Sequence, residues 1–114
     1  MDEWRDLKNM AKALGDLARL TIVYYLAQHD EVTVTALTEM LGLSQPLVSW
    51  HLRKLKRAGL ITTRRVGRQV YCSLSRSRFE LCIQYLRDLI DPSSSRDSFP
   101  VGSELIEAEA GIED

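Results

Sequence analysis

The chain has 114 residues, 45% of them hydrophobic and 27% charged, which is the composition and length of one globular domain. It contains no apolar run of the roughly 18 residues that span a membrane and no early apolar stretch that resembles a signal peptide, so the sequence predicts a cytoplasmic protein without a membrane segment. The formal net charge of −1, taken as a single sum, argues against a nucleic-acid partner.

Two helices are predicted in the first part of the chain. Apolar residues from Trp4 to Leu14 recur every three or four positions, which indicates one stripe of an amphipathic helix that ends at Gly15. Asp16 can cap a second helix that runs to about Gln28. Because this second helix is apolar on most sides, we expect it to lie centrally in the core.

A short strand and a third helix follow. The segment Glu31–Thr35 is β-branched and long enough for a stub of strand. The third helix is predicted over about Val34–Leu41, with Leu37 and Met40 buried, and Gly42 can close it in a left-handed conformation.

The fourth helix is predicted over about Gln45–Ala58. Ser44 is its N-cap, and Pro46 lies in the first turn, where a missing N–H does no harm. Its apolar stripe consists of Val48, Leu52 and Leu55. We expect the remaining polar face to point away from the core, and it consists of Ser49, Trp50, His51, Arg53, Lys54, Lys56 and Arg57.

A β-hairpin comes directly after this helix, which Gly59 ends. Its predicted strands are Leu60–Arg65 and Gln69–Leu74, and they flank a Val66-Gly67-Arg68 turn in which Gly67 supplies the positive φ.

A fifth helix, capped by Ser75 or Ser77, is predicted to end near Ile90. The packed domain should therefore occupy residues 1–91, and residues 92–114 should form a separate tail.

Charge is distributed unevenly along the chain. Residues 1–90 carry 14 Lys and Arg against 9 Asp and Glu, whereas residues 91–114 carry 1 against 7. Between Ser44 and Phe79 there are nine basic residues and no acidic one, which favours a polyanionic partner over a merely solvated face. We predict that the acidic tail is a flexible solubilising extension. The alternatives are a short docked helix over Ser103–Ala110 and a competitor for the basic face.

These elements predict a winged helix-turn-helix of the α+β class, mainly helical, with about five helices and a two-stranded wing. The first turns of the fourth helix suit a DNA major groove, and the basic hairpin suits phosphates or the neighbouring minor groove. The candidate DNA-binding residues are Ser44, Gln45, Ser49, Trp50, His51, Arg53, Lys54, Arg57, Arg64, Arg65, Arg68 and Gln69.

Three separated motifs resemble the ArsR family of bacterial winged-helix repressors. They are ALGDLARL, LGLSQPLVSWHLRKL and AGLITTRRVGRQVY, in the family's order, and the resemblance covers roughly residues 7–90. It implies a homodimer, paired through the first and last helices, that binds an inverted-repeat operator in double-stranded DNA until an effector releases it. It assigns DNA contacts to Ser44, Gln45, Ser49, His51, Lys54 and Arg68, and it leaves Trp50 at a position that is more often polar in the family.

The sequence lacks the residues through which many members of this family bind their effector. Many relatives bind soft metals through Cys-x-Cys at the start of the third helix, but Thr33 and Thr35 occupy the matching positions. A second family site needs histidine on the last helix, and the two histidines of this chain are His29 and His51. We therefore predict neither a metal nor a cofactor, and no effector is identified.

Cys72 and Cys82 leave two interpretations open. In a cytosolic chain, two such residues are ordinarily small, partly buried apolar groups with reduced thiols. The alternative is a thiol switch that responds to oxidants or soft ions.

An enzyme is excluded because no catalytic triad, nucleotide-binding loop or paired acids appear. The remaining alternative is a winged-helix protein-interaction module that does not bind DNA.

Overall fold

A computed structural model describes residues 3–93, together with residues 102, 105 and 106. Of the predicted tail helix over Ser103–Ala110, Leu105 and Ile106 are among the described residues; the rest of that helix and most of the acidic segment lie outside them.

Residues 3–93 form five helices and three strands. In chain order they are α1 (Glu3–Leu14), α2 (Leu17–Ala27), β1 (Val32–Thr33), α3 (Val34–Leu41), α4 (Gln45–Arg57), β2 (Ile61–Val66), β3 (Gln69–Leu74) and α5 (Arg76–Ile90).

Short polar side chains fix where the central helices begin, because they bond backbone N–H groups that lack a partner inside the helix. Asp16 accepts a hydrogen bond from the backbone N–H of Arg19 at 3.1 Å. Thr33 and Ser44 cap α3 and α4 in the same way. Gly42 ends α3 at φ 68°, a conformation that favours glycine. The predicted caps at Asp16 and Ser44 and the predicted stop at Gly42 are confirmed.

The strands form one antiparallel sheet in the order β1-β3-β2. The predicted hairpin is confirmed, with the difference that Val66 pairs with Gln69 and leaves only Gly67 and Arg68 in the turn. The predicted stub of strand pairs Val32 with Cys72 on the other edge of β3. The wing is therefore one part of a three-stranded sheet.

The core lies where α1, α2, α3 and α4 meet the base of the sheet. The predicted stripe of α4 is buried, and Leu37 of α3 is fully buried. The largest side chains in this core with almost no exposure are Met10, Ile22, Leu26, Leu37, Leu55, Leu60 and Ile61.

Two burial predictions are wrong. Met40 is 43% exposed, although it lies three positions after the fully buried Leu37 on nearly the same side of α3. Helix α2 buries only one of its apolar sides. Its other side, with Leu17, Leu20 and Tyr24, faces away from the core of this chain. Apolar surface is exposed on α5 as well, at Ile83, Leu86, Leu89 and Ile90.

Candidate nucleic-acid interface

A polar groove separates α4 from the hairpin. Its volume is about 280 Å³, and a hydrogen bond of 2.8 Å from Lys56 Nζ to Thr63 Oγ1 links the helix to β2 at this groove. The groove brings together polar and basic residues from both elements: Gln45, Ser49, Arg53, Lys56, Thr63, Arg65, Arg68 and Gln69. Residues that are up to 24 positions apart in sequence thus form one continuous basic surface.

Most of the predicted site residues are accessible. Ser44, which caps α4, and Gln45 at its first position are exposed, and Ser49 is half-buried. Arg53 and Arg57 are exposed on the outer face of the helix. The exposed hairpin residues are Arg65, Arg68 and Gln69.

Trp50 lies on the outer face of α4, and two basic side chains contact its indole ring. The ring is 42% exposed. Lys54 Nζ lies 5.0 Å from its centroid and the Arg19 guanidinium carbon lies 5.6 Å from it, so both cations are within the range of cation–π attraction. The His51 ring contacts it in a T-shaped arrangement at 5.0 Å. A large aromatic side chain is therefore held in place on the surface of the helix.

His51 does not face away from the core, so the prediction for its orientation is wrong. Only 5% of its surface is exposed. Its Nδ1 lies 3.0 Å from Nη1 of Arg19 and 3.8 Å from Asp16 Oδ2. Because a guanidinium only donates hydrogen bonds, Nδ1 accepts and the proton of the neutral ring is on Nε2. His51 thus connects α4 to the start of α2, and a base contact by this ring does not fit its burial.

The surroundings of His51 favour its neutral form. Burial lowers the pKa of His51 below its ordinary value of about 6.5, and the charge of Arg19 lowers it further. The carboxylate of Asp16 acts in the opposite direction. Protonation at Nδ1 would also replace the hydrogen bond from Arg19 with repulsion between two cations.

Lowering the pH from about 7.5 to about 5.5 is therefore expected to reduce the free energy of unfolding. In the unfolded chain the His51 imidazole binds a proton below about pH 6.5, whereas in the folded chain it becomes protonated only at a lower pH. The stabilisation from neutral His51 is present above the unfolded pKa and is lost as the pH falls through the folded pKa. Urea unfolding at both pH values measures the effect. His51→Gln keeps an acceptor for Arg19 and should show a smaller pH dependence, whereas an equal dependence in both proteins would contradict the assignment.

Arg64 differs from the other wing residues because its guanidinium forms an ion pair with a carboxylate. It donates two hydrogen bonds to Glu31, at 2.6 and 2.8 Å, and lies 4.7 Å from the centroid of the Tyr71 ring. The hydrogen bonds from Arg64 hold the pKa of Glu31 below its ordinary value. Arg64 thus connects the wing to the segment before β1. No sequence pattern signalled this contact, because 33 positions separate the two residues.

Two more residues of the carboxylate-free stretch bind backbone oxygens. Arg76 donates to the carbonyl of Ala27 at 3.1 Å, and Arg78 donates to that of Ala58 at 3.3 Å. These arginines connect the start of α5 to the ends of α2 and α4. Four of the nine basic residues thus line the groove, namely Arg53, Lys56, Arg65 and Arg68. Three others, Arg64, Arg76 and Arg78, connect separate parts of the fold.

Both thiols are free and buried, which favours the structural interpretation of the cysteines. Burial raises the pKa of Cys72 to about 11 and also raises that of Cys82. Because the thiolate is the reactive form, both side chains are poorly suited to react with oxidants or soft ions in this folded state.

Within residues 3–93 and the three further described positions, no group of three or more His, Cys, Asp or Glu residues is placed to hold a metal ion. In the same part of the chain, no helix combines the length and apolar character that a membrane crossing requires.

Comparison with known families supports a regulator. The family model for bacterial regulatory proteins of the arsR family matches residues 16–63. The arsenical resistance operon repressor of Bacillus subtilis is 38% identical over 71 residues, which are 62% of this chain and 68% of that protein. The arsenic resistance transcriptional regulator ArsR1 of Pseudomonas putida is 41% identical over 63 residues, 55% of this chain, and the match spans only about half (49%) of that regulator.

The fold is similar to solved structures as well. The homodimeric winged helix-turn-helix DNA-binding domain Mb0332 of Mycobacterium bovis superposes with a TM-score of 0.63 at 27% identity. The superposition covers 82% of this chain and 88% of that domain. The predicted winged helix-turn-helix class is confirmed, and the prediction that the chain is a regulator and not an enzyme agrees with these relatives.

Proposed function

Since this chain belongs to the arsR family of bacterial regulatory proteins, we propose that it is a homodimeric, sequence-specific repressor that binds an inverted-repeat operator and is released by an effector. The observation that carries the proposal is the groove in which α4 and the hairpin present basic and amide side chains together. A DNA duplex offers base edges to the amide side chains and phosphates to the basic ones. A helix flanked by cations also fits a major groove.

The residues of this surface divide by the DNA group that each can reach. Gln45 and Ser49 are near the N-terminus of α4, the end that contacts base edges in helix-turn-helix proteins. An amide such as that of Gln45 can bind adenine through two hydrogen bonds. Arg53 and Arg57 extend from the outer face toward phosphates, and Arg68 at the hairpin turn reaches the backbone beyond the groove.

His51 and Arg64 are not included in this reading surface. His51 acts as a positioning residue through Arg19, and Arg64 positions the wing through Glu31. Trp50 is exposed beside Arg57 on the surface of α4, so an apolar contact with a sugar or a thymine methyl suits it.

The exposed apolar stripe of α5 supports a homodimer paired through α1 and α5. Ile83, Leu86 and Ile90 recur on one side of α5, and each is at least 40% exposed. A contiguous apolar surface of this kind marks an association site, and two-fold pairing would present two copies of α4 to two half-sites. The homodimeric relative from Mycobacterium bovis supports the same arrangement.

Two substitutions separate base reading from phosphate binding. Gln45→Ala is expected to weaken binding to the operator by about 1–3 kcal/mol and to leave random DNA nearly unaffected, because it removes only base contacts. Arg68→Ala should weaken all sequences similarly and reduce the salt dependence by about 0.9 for each lost phosphate contact. Gel shifts on operator and random DNA measure both effects.

Gln28→Ala is the matched control, since Gln28 is an exposed glutamine at the end of α2. Equal losses for Gln45→Ala on operator and random DNA would contradict the base-reading assignment.

Repression follows from steric exclusion, because a dimer that occupies a promoter blocks polymerase. A reporter gene under the chain's own promoter tests whether the chain represses or activates transcription. Expression of the reporter should rise when the gene for this chain is deleted. A fall in expression would identify an activator.

A further inference from the structure

A second cavity lies on the other side of α4 from the wing. It has a volume of about 540 Å³, and α1, the start of α2 and α4 form its walls. Its charged and aromatic lining consists of Lys12, Arg19, Trp50, Lys54 and Arg57. None of the described residues that line it is an aspartate or a glutamate. Its size is typical of pockets that hold small organic molecules.

The guanidinium of Arg19 is the central feature of this cavity. Only 9% of Arg19 is exposed. Its Nε donates to the carbonyl of Ala13 at 2.6 Å and its Nη1 donates to His51 at 3.0 Å, and both acceptors are uncharged. Among the residues that the structure describes, no carboxylate lies within 4.0 Å of this group. Asp16 lies nearby, where its carboxylate accepts a hydrogen bond from the backbone N–H of Arg19 at 3.1 Å, but the polar partners of the guanidinium itself are neutral. A buried charge is costly unless an opposite charge or hydrogen bonds compensate it, so an anion that pairs directly with this guanidinium would stabilise it further.

Trp50 supplies a flat apolar wall beside these cations. Its ring is partly open to solvent, and the contacts with Arg19 and Lys54 fix its position. A small molecule that fits this cavity therefore needs two features. A planar apolar body matches the Trp50 wall, and a negative group matches the cations.

We propose that this cavity binds a planar aromatic carboxylate. Its ring stacks against Trp50, and its carboxylate faces Arg19 and Arg57. Since Lys54 and Arg57 also belong to the proposed DNA surface, the bound ligand competes with DNA and acts as an effector. This regulatory part rests on the proposed function, whereas ligand binding does not.

The test uses 2-naphthoate as the probe and Trp50 as the reporter. In the full chain with Trp4→Phe, Trp50 is the remaining tryptophan, so its fluorescence reports on the cavity. We expect saturable quenching by 2-naphthoate and at least about tenfold weaker binding of the uncharged 2-naphthamide. Adding Arg57→Ala should weaken naphthoate binding by about tenfold. Adding Lys8→Ala, which removes an exposed cation outside the cavity, should not change it.

The outcomes are distinct. Equal quenching by the acid and the amide would overturn the proposal, because binding would then need no anion. Absence of quenching by 2-naphthoate would also overturn the proposal. If Arg57→Ala then still reduced DNA affinity, the cations of the cavity would be assigned to DNA phosphates. Because quenching is measured without DNA, a failure of DNA binding leaves the ligand result interpretable. Displacement of bound DNA by 2-naphthoate in a gel shift would support the effector function.

Discussion

Raising the monovalent salt concentration from about 50 to about 200 mM is expected to weaken DNA binding by about 10³- to 10⁵-fold. Each phosphate contact releases condensed counterions, so the logarithm of affinity falls by about 0.9 per contact for each decade of salt. The cations available to each protomer in the reading surface are Arg53, Lys54, Arg57, Arg65 and Arg68. Two protomers supply about ten, which is the upper end of the range for which that loss applies.

Fluorescence anisotropy with a labelled promoter fragment, titrated at several salt concentrations, measures this slope. The formal net charge of −1 would predict a weak dependence, so a steep slope shows that local charge determines binding. A slope near zero, or no binding at all, would favour the protein-interaction module over the DNA-binding regulator. The Arg68→Ala protein provides an internal calibration, because it should lower the slope by a known amount.

Replacing Leu86 with glutamate is expected to dissociate the proposed homodimer and to reduce affinity for the proposed operator by about 10²- to 10⁴-fold. The substitution places a charge in the middle of the exposed apolar stripe of α5, where pairing would bury it. Two linked half-site contacts gain affinity in this range over one contact, and a monomer loses that gain. Sedimentation equilibrium measures the dimer, and gel shifts on full and half operators measure the affinity.

Leu17→Glu is the matched control for the pairing surface. Leu17 is 80% exposed on the outward apolar side of α2, away from the helices assigned to the interface. It should leave the dimer intact. If Leu17→Glu dissociates the dimer and Leu86→Glu does not, pairing through α1 and α5 is wrong and α2 supplies the interface. Half-operator affinity should remain near the original value in a dissociated variant that is still folded.

The sequence predicted the helices well because their boundaries depend on neighbouring residues. Asp16, Ser44 and Gly42 each act within a few positions of the helix end that they set, so their types indicate the boundary directly. The hairpin was predictable for the same reason, since Gly67 adopts positive φ within a two-residue turn.

The errors arose where a contact joins distant parts of the chain. His51 is polar, which suggested exposure, yet it lies beside the stripe of Val48 and Leu55 and binds Arg19 across 32 positions. The ion pair of Arg64 with Glu31 is equally distant in sequence. Periodicity identifies which side of a helix is apolar, but it does not show which polar residue at the edge of that side finds a buried partner.

The second apolar side of α2 illustrates another limit. An apolar pattern on most sides of a helix indicates burial without specifying the covering element. Leu20 and Tyr24 remain 47% and 61% exposed, so the described chain covers this side only in part. The pattern alone does not distinguish a helix central to one chain from a helix that contacts a second one.

The pairing of β1 with β3 gives the chain a modular topology. Val32 and Thr33 pair with Cys72 and Tyr71, so the strands close a loop that contains α3, the turn, α4 and β2. The helix-turn-helix is in this sense an insertion between β1 and β2, the two edge strands that both pair with β3, so both of its ends are anchored in the same sheet. Its outward residues can therefore be exchanged as a cassette, provided that Leu37, Val48, Leu52 and Leu55 keep their packing. Regulators with new operator preferences can then arise by grafting one helical surface, while the closure of the domain remains unchanged.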